Sequence, residues 1–241
     1  MRQIIELEDL GLCDYRVAWD HQTKVHESLI GMKRSQAGDV EVRQKLILCQ
    51  HPHVYTLGKS GKEGHLKIAD EELREINAEF YKINRGGDIT YHGPGQLVAY
   101  PILDLDHFRN DVHWYVRSLE EVILRILDHF GIVGGRIPEF TGVWVRIESP
   151  NPSKICAIGV HLSRWVSLHG LAFNVNPDLH YFNHIIPCGI QKEGLGVTSL
   201  SKELGREVEF EEVKSLFIQN FEEIFNVITK NKYEIANEEN Q

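Results

Sequence analysis

Cys188 stands between Pro187, which stops a helix, and Gly189, which leaves the next peptide unshielded, so its thiol belongs on a bent loop. A thiol so placed has the local geometry of a nucleophile, although a lone cysteine is more often a small core residue. The other three, Cys13, Cys49 and Cys156, lie in apolar surroundings and read as core. Lys154 opens the run KICAIG, where strand alternation sets it on one face with Cys156, Ile158, Val160 and Leu162, and sets Ile155, Ala157, Gly159 and His161 on the other. Burial on an apolar face disfavours an ammonium and makes a lysine a usable base near neutral pH. A lysine at a strand end can equally snorkel to water.

The most unusual stretch is RGGDITYHGPGQ at 85–96, with four glycines and a proline in twelve residues between strand-like runs. Glycines there permit positive φ and let a ligand approach the backbone. A plain turn has no need of Arg85, Asp88, Tyr91 and His92 spaced through it, so the segment reads as a binding loop. Two other motifs are set aside. LGKS at 57–60 ends like a phosphate-binding loop but has His53 where that motif needs its first glycine. His51 and His53 have a metal-like spacing, yet Pro52 separates them and no third ligand clusters nearby, so they read as ordinary hydrogen-bonded histidines.

Helical periodicity is clearest over about 112–130 and 211–229, and a less regular helix is expected over 15–32, where His21, Gln22 and His26 interrupt the apolar face. Strands are expected at 45–50, 80–84, 89–92, 96–102, 142–147, 154–162 and 165–175. The last two are separated only by Ser163 and Arg164 and must form an antiparallel hairpin. The order of elements predicts an α/β protein in the α+β style, a mixed sheet with packed helices, in one domain over 1–241. The polar tail from Asn231 to Gln241 is expected to fray.

Composition bounds the partners. With 26 Lys and Arg against 35 Asp and Glu the net charge is -9, which disfavours nucleic acid and anionic lipid. No apolar run approaches the roughly 18 residues of a membrane span. The charged opening carrying Arg2, Glu6, Glu8 and Asp9 is unlike a signal peptide. Four scattered cysteines without a CxxC pair fit a reducing cytoplasm and no thiolate zinc site.

Taken together, RGGDITYHGPGQ, KICAIG, HGLAFNV from His169, PCGI from Pro187 and GVTSL at 196–200 resemble, in this order, the motifs of the lipoyl(octanoyl) transferase family. The resemblance spans about 16–200 and implies a fold like that of biotin and lipoate protein ligases. It implies transfer of an octanoyl group from octanoyl-acyl carrier protein to a lysine of lipoyl-carrier domains, the first step of protein lipoylation. The acceptors it implies are the lipoyl domains of 2-oxoacid dehydrogenase complexes and the glycine cleavage H protein. Carried over residue by residue, the acyl-thioester cysteine falls on Cys188 and the lysine that lowers its pKa on Lys154. The substrate-lining residues fall on Arg85, Gly86, Gly87, Asp88, Ile89, Thr90, Tyr91 and His92, on Ala157, Ile158 and Gly159, and on Gly170, Leu171 and Ala172. No metal or cofactor is implied. Cys156 departs from the small residues common at its position and places a second thiol in the lysine block. The alternatives are an ATP-dependent lipoate-protein ligase of the same fold, which has no need of the cysteine, and a non-catalytic acyl-carrier-binding module.

Overall fold

A computed structural model describes residues 2–35, 43–186 and 194–239. The chain opens with strand β1 (Gln3–Leu12) and helix α1 (Tyr15–Ser35), followed by β2 (Lys45–Gln50), β3 (Val54–Leu57), the short helix α2 (Asp70–Glu75), β4 (Glu79–Lys82), β5 (Ile89–His92) and β6 (Gln96–Ile102). Helix α3 (Val112–His129) leads to β7 (Gly134–Ile137), β8 (Phe140–Val145), β9 (Ser153–Ser163) and β10 (Val166–Asn174). The chain closes with β11 (Gly196–Val197), α4 (Leu200–Leu204), α5 (Phe210–Phe225), β12 (Val227–Lys230) and α6 (Lys232–Glu239).

Among the described residues, β12-β1-β2-β6-β10-β9-β8-β7 form one mixed sheet in that order, with β11 alongside β9, and β4-β3-β5 form a small second sheet. The β9–β10 hairpin is antiparallel, with Gly159 opposite Gly170 and Ala157 opposite Ala172. Both faces of the large sheet are covered. Leu46 and Leu48 of β2 join α3 and α5 in one core, while Ile47 and Cys49 join Ala18, Val25 and Leu29 of α1 in another. Burial on both faces is why β2 reads as an unbroken apolar run.

Helix α3 starts where Asp111 accepts a hydrogen bond from the Trp114 amide at 3.0 Å, a side-chain cap. The helix expected to 229 ends instead at Phe225, because Asn226 takes a left-handed conformation with φ 54°. The chain then runs as β12 parallel to β1. The tail expected to fray forms α6, with Ile235 buried. Strand β1 escapes the sequence reading because its acidic residues suggest an exposed terminus. In the fold, Lys45 on neighbouring β2 pairs with both Glu6, at 2.8 Å, and Glu8.

Candidate active site

The glycine-rich segment packs against β9 beside a cavity of about 330 Å³, within the roughly 300–1,000 Å³ of small-ligand pockets. Arg85, Gly86, Gly87, Asp88, Ile89 and Thr90 of the glycine-rich segment line it together with Lys154, Ala157, Ile158 and Gly159 of β9 and Ala172 of β10. A neighbouring chamber of about 40 Å³ shares Arg85, Thr90, Ala157, Gly159 and Ala172 with it, and is lined also by His92, Gly170 and Leu171. Tyr91 lines neither. Alternation along β5 turns its ring into the core of the small sheet, where it stacks on Tyr181 at 5.0 Å and meets His53 Nδ1 through its hydroxyl at 2.8 Å.

The loop is tied together by the guanidinium of Arg85, which donates to the carbonyls of Gly86 at 2.8 Å and Asp88 at 2.7 Å. Arg85 lies across Gly159, where an added Cβ would come within 2.6 Å of Arg85 Cδ, so that glycine makes room for it. The amide of Gly86 donates to Val160 at 3.1 Å and fastens the loop to β9. Asp88 accepts from the Ile89 amide at 2.7 Å and pairs with His65. The LGKS run proves to be scaffolding. Its amides at Gly58, Lys59 and Ser60 donate to the carbonyls of Asp88, Arg85 and Gly87, so they are already engaged rather than turned toward a phosphate.

Strand β9 is bulged where it meets β8, so that Val143 stands opposite Cys156 and Trp144 opposite Lys154. Consequently Ile155 and Cys156 both enter the main core, against simple alternation, and Lys154 reaches the cavity. Its Nζ lies 4.9 Å from the centre of the Trp144 ring. Burial pushes the Cys156 thiol far up, Glu120 acts in the same direction and Lys154 opposes them. Burial also raises the thiols of Cys49 and Cys13. Cys188, with Pro187 and Gly189, lies outside the described residues. On the near side of that segment, the Ile186 amide donates to His65 at 2.8 Å; beyond it, β11 runs parallel to β9, with Val197 opposite Lys154.

Residues from distant parts of the chain add to the lining: Val116 of α3, Glu139 before β8, Phe140 and Thr141 at its start, Phe182 and Val197. Apart from Val197, which lies in the GVTSL run, nothing in their local sequence marks them. Gln96 and Asn174, inside quoted motifs, pair at 2.8 Å, and Asn174 donates onward to Thr198 at 2.9 Å, which gives the GVTSL run a place beside the site. The polar interruption of α1 also has its reason here, since Gln22 accepts from the His169 amide at 3.0 Å. His51 is held by Cys13 and Tyr100, at 2.6 and 2.8 Å, and among the described residues no group of three His, Cys, Asp or Glu forms a metal-like cluster.

The buried imidazoles give a prediction for acid stability. Burial lowers His51 to about 4 and His169 to about 3, with Arg85 adding to the latter, and places His92 well below its ordinary 6.5. Below pH 6.5 the unfolded chain takes up protons that the folded one refuses, so stability falls as pH drops from about 6.5 toward 4, by up to about 1.4 kcal/mol per pH unit for each imidazole. Melting temperatures measured from pH 7 to pH 4.5 should decline throughout. A flat profile would contradict the neutral burial of these rings.

The cavity is largely apolar, with the charged side chains of Arg85, Asp88, Glu139 and Lys154 also in its lining, and such a mixture fits an alkyl chain that carries a polar group. The sequence matches the lipoyl protein ligase A/B catalytic domain over residues 14–222. This chain belongs to that family. An octanoyltransferase of Christiangramia forsetii is 48% identical over 234 residues, covering 95% of this chain and 99% of its own. One of Cytophaga hutchinsonii is 52% identical, covering 93% and 94%. In fold the chain is similar to a bipartite lipoate protein ligase of Thermoplasma acidophilum, with TM-score 0.64 at 16% identity, covering 95% of this chain and 87% of that one. A lipoate-protein ligase A bound with ATP gives TM-score 0.65 at 15% identity, covering 96% and 89%. The mixed sheet with packed helices expected from sequence is thus the lipoate-ligase architecture.

Proposed function

We propose that this enzyme moves an octanoyl group from octanoyl-acyl carrier protein to a lysine of lipoyl-carrier domains through an octanoyl thioester on Cys188. The reading is supported above all by Lys154 opening onto an apolar cavity beside the glycine-rich loop, in a chain nearly half identical to octanoyltransferases along almost its whole length. In the first half-reaction the Cys188 thiolate attacks the donor thioester, the carbon–sulfur bond to the carrier breaks, and the carrier thiol leaves. One thioester replaces another, so little free energy is lost. In the second, the acceptor amine attacks the acyl-Cys188 carbonyl, loses a proton, and releases the thiolate as a stable amide forms. A free thiol has a pKa of about 8.5 and is only slightly ionised at neutral pH, so the Lys154 cation raises the reactive fraction. Lys154 then exchanges protons with the leaving thiol and the incoming amine. Arg85, Gly86, Gly87, Asp88, Ile89 and Thr90, together with Ala157, Ile158 and Gly159, line the space taken by the octanoyl chain, and His92, Gly170, Leu171 and Ala172 line the smaller neighbouring chamber. Acceptors are the lipoyl domains of 2-oxoacid dehydrogenase complexes and the glycine cleavage H protein, and the reaction takes place in the cytoplasm. None of the described helices is long and apolar enough to cross a membrane.

The test is mass spectrometry after mixing the protein with octanoyl-acyl carrier protein in the absence of ATP. An octanoyl increment on Cys188 that is discharged by an added lipoyl domain is the expected result. Absence of the increment, with acyl transfer appearing only when ATP and free octanoate are supplied, would replace this reading with the ligase.

A further inference from the structure

Trp144 is fully buried on β8, and its indole is fixed at both its edge and its face. At the edge, Nε1 donates to the Phe140 carbonyl at 3.0 Å, tying the ring to a residue of the cavity wall. At the face stands Lys154 Nζ, 4.9 Å from the ring centre. The β8–β9 bulge creates this arrangement, because it brings Trp144 rather than Val145 opposite Lys154. The same strand is pinned a second time by buried Glu120, which accepts from the Gly142 amide at 3.1 Å while holding Arg136 at 2.9 Å. Gly142 itself, at φ 118°, lies against the Cys156 carbonyl, where an added Cβ would come within 2.4 Å. A platform held this firmly does more than fill space. The negative face of an indole attracts a cation within about 6 Å, and attracts a neutral amine hardly at all.

We propose that Trp144 is a positioning residue for Lys154, its indole face holding the ammonium at the cavity wall so that the charge is in place before the acyl donor arrives. The proposal rests on the role given to Lys154 above. The ring contact narrows the rotamers of a flexible four-carbon stem to those that keep the charge at the cavity wall.

The experiment places successively more fluorinated tryptophans at position 144, which weakens the π face while nearly preserving size and the Nε1 donor. Single-turnover acylation of Cys188 by octanoyl-acyl carrier protein is the readout, alongside the melting temperature and the donor concentration giving half-maximal rate. The expected result is a stepwise fall in rate, roughly tenfold across the series, at unchanged stability and donor concentration dependence. Trp144→Phe, which keeps a π face, is expected to retain more of the rate than Trp144→Leu. Rates independent of fluorination, or falling only in step with melting temperature, would overturn the proposal. If the unsubstituted protein forms no octanoyl-Cys188 at all, the assigned reaction fails and the role of Trp144 fails with it, a result distinct from acylation that ignores the fluorines.

Discussion

Cys188→Ala is expected to abolish octanoyl transfer, by at least about 10³-fold and up to the ~10⁶-fold that removal of a catalytic nucleophile can cost. The argument is partly one of supply. The proposed acyl-enzyme needs a thiolate near the cavity, and the three described cysteines are poor sources of one. Cys156 is nearest to Lys154 in sequence but has none of its surface exposed, and burial with Glu120 nearby pushes its thiol far up despite the lysine. Cys49 is buried between β2 and α1, with its Sγ 3.5 Å from His51 Nε2, and Cys13 is raised as well. Turnover with octanoyl-acyl carrier protein and a lipoyl domain, measured beside the melting temperature, checks the prediction. Stability is expected to change little, since Cys188 is flanked by Pro187 and Gly189 rather than by core-forming residues. Near-normal turnover by the variant would remove Cys188 from the mechanism and turn attention to Cys156.

The sequence made legible those parts of the fold where local chemistry and tertiary role agree. Helix α3 follows its apolar stripe almost to the residue because the stripe is buried along its length in the core shared by the sheet and α5, and Asp111 caps its start. The β9–β10 hairpin follows from the two residues between its strands. Strand β1 and the turn from α5 into β12 are illegible for a shared reason: their pairing partners are remote in sequence, with Gln3 opposite Val227 and Glu6 opposite Lys45. At the site, the glycines announce the loop because backbone approach has a residue signature. Tyr91 misleads, since its membership of the motif does not reveal which side of β5 it occupies. The apolar residues Val116, Phe140 and Phe182 of the lining carry no signature, because lining a cavity asks of them only what any core position asks. Trp144 is missed for a subtler reason. Its contact with Lys154 depends on a bulge, and a bulge shifts register without leaving a distinctive residue in this stretch.

Lys154→Arg is expected to separate the two halves of the reaction. Guanidinium keeps its proton at any working pH, its pKa being above about 12, so the substitution preserves a charge and removes the proposed proton shuttle. The ring of Trp144 can receive a guanidinium as well as an ammonium, since arginine stacks on aromatic faces, so the charge should remain on the cavity side of β8. Thiolate formation at Cys188 therefore survives in part, and acylation by the thioester donor continues at a reduced rate. Discharge to the acceptor is different, because the incoming lysine is itself protonated near neutral pH and must surrender a proton to become nucleophilic. With arginine at 154 that proton has no nearby acceptor from this residue, and octanoyl-Cys188 is expected to accumulate. Lys154→Met, lacking both charge and base, is expected to slow the first half as well. Single-turnover measurements of each half, with mass spectrometry of the acyl-enzyme, distinguish these outcomes. Equal slowing of both halves by arginine would show that Lys154 acts only as a placed cation, with the proton leaving by another route.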